Sequence, residues 1–463
     1  MSAPAPVPSP DPERTSATAS SDRAARREVD HDILRLAIPS LGALIAEPLF
    51  VLVDSAFVAR VSTEALAGLG LAATILTTVV GLAIFLAYST TAAVARAVGA
   101  GRMREALARG TDACWLALGL GTACAVVLLV AGPWLLGLFG PTPAVLREAL
   151  VYLRIGALGL PAMLAVQAAT GLVRGLQDAR LPLIVAVSGA LVNIPLNAML
   201  ILGLGWGIAG SAVGTVIVQW GMALTLLAVV ARGARRYGVS LRPQPGEVQA
   251  VGREAVPMFV RTLSLRAVLI VATLVATRFG PAQLAAHQLA FSVFTLLSLA
   301  LDALAIAGQA LTGRHLGASR PDIVHAVTRR LMLWGIGGGV VTGVVLLVAS
   351  YIAPQLFSPD PAVQENLRAA LWVLMVAQPV AGYVFVLDGV LMGAGDAPYL
   401  ARAGVVVAVL TILPALGVAA WTPAGPMGVA ALWLAIMLWF LVLRALALGW
   451  RVRGDAWMRL GAE

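Results

Sequence analysis

Twelve apolar stretches, each near the roughly 20 residues an α-helix needs to cross a bilayer, follow one another along this chain. They run over 33–59, 64–95, 106–131, 145–173, 181–203, 208–232, 255–277, 283–311, 325–350, 363–392, 399–420 and 427–450, separated by short Arg, Gly and Pro loops. No other feature constrains the fold as strongly. In lipid, each spanning segment must satisfy its own backbone polar groups, so an all-α bundle of membrane helices is the fold class this pattern predicts. The composition agrees. Of 463 residues, 60% are hydrophobic and only 12% charged, against about 25% charged in soluble domains, which leaves too little polar surface to cover a water-facing body.

The formal charge is +9, and all 32 basic residues are arginine. Without a lysine the chain cannot build a phosphate-binding loop of the nucleotide-hydrolase type or a Schiff base to pyridoxal or retinal. No cofactor is expected, and the energy source is read as an ion gradient or another subunit. Cys114 and Cys124, ten apart inside one apolar stretch, fit neither a disulfide framework nor zinc-ligand spacing. The arginines sort sharply between the two sides of a twelve-span chain. One side holds Arg102, Arg104, Arg109, Arg174, Arg180, the Arg232–Arg242 cluster, Arg314, Arg320, Arg329, Arg330, Arg402, Arg451 and Arg453, while the other shows only Arg60, Arg147, Arg278 and Arg368. By the positive-inside rule both termini are expected in the cytoplasm. The same asymmetry explains the basic balance, so no nucleic-acid partner is expected.

Residues 1–30, rich in Ala, Pro, Ser and charge, read as a disordered cytoplasmic tail. They carry no apolar run of signal-peptide type. Sliding the sequence along itself until Arg60 falls on Arg278 brings the other landmarks into register without a gap: Arg96 with Arg314, Gly99 with Gly317, Pro143 with Pro361, Pro161 with Pro379, Gly175 with Gly393 and Asp178 with Asp396. Six helices per repeat is an even number, so both halves enter from the same side and a pseudo-two-fold axis runs along the membrane normal. The expected organisation is a six-helix lobe over 31–235, a linker over 236–254, a second lobe over 255–452 and a tail over 453–463. Two such lobes around a central cavity are the architecture of an alternating-access transporter, for which a monomer in the lipid bilayer suffices.

An ionisable side chain near the centre of a membrane helix costs at least about 2.5–3.5 kcal/mol, so each is a functional suspect. The suspects are Glu47 and Asp54 in helix 1, Arg154 in helix 4, Arg261 and Arg266 in helix 7, Asp302 in helix 8 and Asp388 in helix 10. Glu47 and Asp54 lie two helical turns apart on one face, with Pro48 between them as a kink. They form a candidate relay for a proton or cation; Glu47 facing an aqueous cavity is the plainer alternative. Asn193 and Asn197 at i, i+4 offer two amide oxygens on one face, and Thr215 adds a hydroxyl. They can coordinate a cation, bond a protonated carboxylate, or serve as interhelical glue. In the second lobe Asp302 and Asp388 are expected to be buried, with Arg261 or Arg266 neutralising one of them; a structural ion pair is the alternative. His287 reads as a structural hydrogen-bonder rather than a switch.

Two patterns are discounted. Gly205, Gly207 and Gly210 spell GxGxxG, but they sit in a turn between two membrane helices, without the strand and acidic ribose ligand of a dinucleotide site. The glycines at 335, 337, 338, 339 and 343 supply small-residue spacing for helix contact. No metalloprotease or nucleophile-elbow motif occurs, and an enzyme is not expected.

The segments LAIPS (36–40), PLFVLVDSAFVAR (48–60), STTAAVARAVGAG (89–101), GLVRGLQDAR (171–180), GLGWGIAGSAVGTVI (203–217), LALDALAIAGQALTGRHLGA (299–318) and LDGVLMGAGD (387–396) occur in this order. With them the chain resembles the multidrug and toxic compound extrusion (MATE) transporters, and most closely their DNA-damage-inducible branch, from about Leu34 to Val452. The resemblance implies export of amphipathic, often cationic small molecules in exchange for protons or sodium across a cell membrane. It implies Asp54 as the acceptor of the coupling ion and Asn193 and Thr215 as its polar partners. Asn197 stands where many relatives carry aspartate, which removes a charge from a sodium site. Glu47 stands where relatives commonly carry an uncharged residue. Asp302 and Asp388 match acidic positions of that branch. A lipid or lipid-linked sugar flippase of the same superfamily is the alternative, and it would depend on cavity arginines such as Arg261 and Arg266. A non-transporting membrane scaffold would leave the intramembrane acids unexplained.

Overall fold

A computed structural model of the chain describes residues 12–461, with the side chains of residues 27–46 and 48–461. Each predicted apolar stretch folds as one helix or, in one case, a bent pair. The helices are α1 (Pro12–Val58), α2 (Thr63–Gly99), α3 (Met103–Gly137), α4 (Pro143–Ala157 with Leu160–Gly175), α5 (Arg180–Gly203) and α6 (Gly207–Arg236). The second set is α7 (Pro245–Phe279), α8 (Pro281–Gly317), α9 (Pro321–Phe357), α10 (Pro361–Gly393), α11 (Ala397–Trp421) and α12 (Pro426–Val452). The two halves of α4 meet at 47°. Pro161, in the first turn of the second half, lacks the N–H that would carry the ladder across the break.

Helix starts follow local chemistry. Proline opens α7, α8, α9 and α10, where its missing N–H would have no partner in any case. The Ser62 hydroxyl accepts from the Ala65 N–H at 3.0 Å to start α2, and the Asp360 carboxylate accepts from the Ala362 N–H at 2.8 Å to start α10. The Gly205–Gly207 pattern is the α5–α6 turn, with both glycines at positive φ, a conformation that only glycine adopts cheaply.

Three segments differ from their reading as loop or tail. Helix α1 begins at Pro12, so the expected disordered tail over 1–30 is helical from that residue; Ala, Arg and Glu dominate 23–28, with no Pro or Gly between 13 and 38 to interrupt it. The expected linker 236–254 is helical from Pro245 onward, where proline and Glu247 in the first turn favour a helix start. The C-terminal stretch beyond α12 packs against the bundle. Trp457 is buried, and Arg96 of α2 donates to the carbonyls of Ala394, Arg459 and Gly461 at 2.8–3.3 Å.

The lobes meet where the repeat predicts equivalence. A methyl at Gly99 would run into the carbonyl oxygen of Arg314, and one at Gly317 into that of Arg96, so each lobe presents the same Arg–Gly turn to the other. Gln177 adds a bond to the Ala310 carbonyl at 3.0 Å, and Asp30 of α1 pairs with Arg330 of α9 at 2.5–2.6 Å. These contacts lie at the arginine-rich end of the bundle, where the described stretch beyond α12 also packs. Within the second lobe, Gly335 and Gly339 bring α9 onto the backbone of α10 at Gly382 and Gln378, whereas Gly337 and Gly338 meet nothing. Lipid offers no hydrophobic drive between helices, so such close approach is what holds them.

Gly99→Ala and Gly317→Ala should each cost about 1–3 kcal/mol by overpacking. Thermal unfolding in detergent checks this: both midpoints should fall, while Gly337→Ala, which meets open space, should leave the midpoint where it is.

Candidate functional site

A cavity of about 280 Å³ lies inside the first lobe, among α1, α2, α4, α5 and α6. Its walls are mainly apolar, from Phe50, Leu69, Leu76, Met163 and Met222 among others. Polar groups reach it at a few points: Asp54, Tyr152, Thr215 and Gln219 at one end, Gln167, Thr170 and Arg174 towards the other, with Thr77 on the α2 wall. An apolar chamber with a few placed polar groups is the usual form of a small-molecule site.

Asp54 is buried four residues before the end of α1. Its Oδ2 accepts from the Thr215 hydroxyl of α6 at 2.8 Å, and its Oδ1 accepts from the Asn197 amide of α5. Asn197 also donates to Asn193 Oδ1 at 3.0 Å, as their i, i+4 spacing predicts. Local backbone features make room for the cluster. Pro195 lies inside α5 and a π-helical stretch follows over Ala198–Gly203, which widens the helix just past the asparagines. Gly214 leaves space for Asn197, whose Oδ1 would stand 2.5 Å from a methyl there. Among the described residues no arginine or histidine forms an ion pair with Asp54. Asn197 Oδ1, Asn193 Nδ2 and the Ser211 hydroxyl are buried without hydrogen-bond partners among the described residues. The side chain of Glu47, the other acid expected on this face, lies outside the described residues.

The second-lobe acids separate from one another. Asp388 of α10 is buried between two arginines: Arg261 of α7 grips both carboxylate oxygens, through Nε on Oδ1 at 3.3 Å and Nη2 on Oδ2, and Arg444 of α12 donates to Oδ1 at 2.8 Å. Arg261 thus supplies the neutralisation expected of it. Arg266 does not join; its guanidinium lies against Gly81 of α2. Asp302 is less buried than expected. It is half-buried on α8 and forms no ion pair or hydrogen bond among the described residues; Arg261 and Arg444, two of the three arginines it faces, are engaged by Asp388, and the third, Arg174, stands beyond contact distance. Arg154 is exposed on the outside of α4. His287 packs against Trp433 and Phe291 and approaches Thr273 at 3.4 Å, a structural setting.

Two site residues escape the sequence reading. Arg444 falls inside the twelfth apolar stretch, where the rule that singles out Arg261 applies to it equally. Arg174 reads as part of a basic loop, yet it belongs to the last turn of α4 and is buried. Its position in the repeat gives no warning, since its counterpart in the second lobe is Met392.

The family described as MatE matches the chain twice, over residues 39–199 and 257–416, and the two matches start at repeat-equivalent positions. Among curated proteins, the chain is similar to DNA damage-inducible protein F of Escherichia coli (strain K12), at 31% identity over 91% of this chain and 92% of that one. Protein DETOXIFICATION 44, chloroplastic, of Arabidopsis thaliana is 30% identical over 94% of this chain and 84% of its own length. The fold matches the Vibrio cholerae MATE transporter VcmN in the bent form, with a TM-score of 0.83 at 21% identity, covering 94% of this chain and all of that one. It also matches a multidrug resistance MATE family transporter of the MOP superfamily in an outward-facing conformation, with a TM-score of 0.81 at 21% identity over 92% of this chain and 96% of that one. Two copies of one family match, full-length similarity and a shared twelve-helix fold lead to one conclusion: the chain is a multi-pass membrane protein of the MATE family of multidrug and toxic compound efflux transporters, on the DNA-damage-inducible branch.

Proposed function

We propose that this protein exports amphipathic organic compounds from the cell in exchange for protons, with Asp54 as the coupling group and the first-lobe cavity as the transport site. The arginine-rich face is then cytoplasmic, a monomer in the cell membrane suffices, and residues 31–235 and 255–452 are the two moving lobes. The observation that carries this reading is a carboxylate with no counter-ion among the described residues, buried on the wall of a chamber large enough for a small organic molecule.

The argument is one of differential stability. As a carboxylate, Asp54 is held by donors from Asn197 and Thr215. Once protonated it becomes a donor and needs an acceptor, and the buried, unpartnered Asn197 Oδ1 provides one after a turn of the amide. The cluster therefore has a hydrogen-bonded arrangement for each protonation state. Protonation removes the charge that made a wet cavity favourable around Asp54, and Pro48 gives α1 a place to bend as the chamber shrinks. An ion gradient drives export only if the two conformations hold the ion with different affinity, and a carboxylate whose hydration differs between them meets that condition. Sodium is the second candidate ion. The single charge of the cluster and the occupation of Asn193 Oδ1 by the Asn197 amide favour the proton.

The Arg261–Asp388–Arg444 cluster we read as a lock between α7, α10 and α12 rather than a second coupling site, because both carboxylate oxygens are already taken.

In proteoliposomes, an imposed pH gradient alone should move ethidium through the wild type, and a sodium gradient alone should not. Asp54→Asn should abolish the movement, and Thr215→Ala should slow it; unchanged transport in Asp54→Asn would overturn the coupling assignment. For the lock, the sign follows from charge counting. Asp388→Asn leaves two buried guanidiniums facing a neutral amide and should cost about 3–5 kcal/mol, whereas Arg444→Gln leaves a neutral Arg261–Asp388 pair and should cost less. The order of the two unfolding midpoints in detergent tests this.

A further inference from the structure

Arg174 is 8% exposed, lines the first-lobe cavity, and has no hydrogen bond or ion pair among the described residues, its Nε being fully buried. Guanidinium does not give up its proton in proteins, so the charge persists. A buried charge without a partner costs several kcal/mol, and such a residue calls for a counter-charge that arrives from outside. The repeat shows why the chain does not supply one. Where the second lobe places Asp388, which neutralises its arginines, the first lobe places Thr170, one turn before Arg174 and also on the cavity wall. The remaining groups facing Arg174 are Tyr88 and Asp302. Asp302 stands beyond ion-pair contact and is shared with Arg261 and Arg444. The three guanidiniums outnumber the two carboxylates among them, leaving one positive charge uncompensated.

We infer that Arg174 is an anion subsite of the transport cavity, and that the preferred substrates are amphipaths bearing a carboxylate. The subsite rests on the reading of the first-lobe cavity as the transport site. The guanidinium fork matches a carboxylate with two parallel hydrogen bonds. The Thr170 hydroxyl, on the same face of α4, can donate a third. Asp54 at the far end of the chamber sets the opposite polarity, so a zwitterion with its carboxylate at Arg174 and its cationic or apolar part towards Asp54 fits the chamber's charge. The cost of the lone buried guanidinium then becomes binding energy for an acidic substrate, which an esterified or purely cationic molecule of the same shape does not recover.

The test uses a matched pair of rhodamine dyes, one with a free carboxylic acid and the other its ethyl ester, on the full-length protein. Binding is read by fluorescence anisotropy in detergent, and transport in proteoliposomes under a pH gradient. The acid should bind about tenfold tighter than the ester, on the scale of one charge-assisted hydrogen bond. Arg174→Gln should collapse the ratio towards one, and Arg174→Lys should restore part of it. Equal affinities of the wild type for acid and ester overturn the subsite whatever the variants do, since that comparison needs no substitution. If the acid is preferred in binding but no gradient moves either dye, the subsite stands and the antiport reading falls. If affinities are equal and both dyes move, the reverse holds. Displacement of the acid by phosphatidylglycerol but not by phosphatidylcholine would assign the arginine to lipid headgroups and overturn the solute assignment.

Discussion

Close approach of helix backbones is the constraint on which this structure depends. In lipid the apolar faces of helices gain nothing by leaving their surroundings, so helices stay together only where they come near enough for dispersion and polar contacts to accumulate. Glycines decide where that happens. Gly335 and Gly339 let α9 lie on α10 within the second lobe, and Gly99 and Gly317 let the two lobes touch through their main chains. The rest is arranged around those seams. The first-lobe chamber is the space left where no such approach occurs.

The polar groups inside the lobes follow a different logic from the seams. Repeat-equivalent positions keep their seam residues, Arg96 with Arg314 and Gly99 with Gly317, but not their charges. Asp54 corresponds to Ala272, Asn197 to Ala415 and Thr215 to Trp433, while Arg261 corresponds to Ala43 and Arg444 to Leu226. The packing scheme is duplicated and the chemistry is not. One lobe carries a largely apolar cavity with Asp54 as the one acid on its wall among the described residues, and the other a saturated ion cluster that leaves beside it a void of only about 10 Å³.

The fold is legible in the sequence because membrane helices announce themselves through length and apolarity, and because turn and proline landmarks keep the same register in both halves of the chain. The first-lobe site is legible for a related reason: an acid, two asparagines and a threonine inside apolar stretches have few explanations. Side-chain partnership is harder to read. Spacing along the chain shows which residues share a face, as with Asn193 and Asn197, but not which distant helix faces them, so Arg444 goes unnoticed beside Arg261, and the choice between Arg261 and Arg266 as the partner of a carboxylate stays open until the structure decides it for Arg261. Arg174 is misplaced because the last turn of a membrane helix and the loop after it look alike in composition. The helical stretches that start at Pro12 and Pro245 read as tail and linker because charge and polarity suggest exposure, and exposure does not preclude a helix.

Among the described residues, Arg96 bonds main-chain oxygens, of Ala394 in one helix and of Arg459 and Gly461 beyond the last one. A guanidinium that reads carbonyls is indifferent to the side chains attached to them. These bonds can therefore survive drift in the sequence of the closing segment, and are lost when the path of that segment is shortened or rerouted. Relatives whose endings share no recognisable residues with this one can keep the same contact, held by where the chain runs.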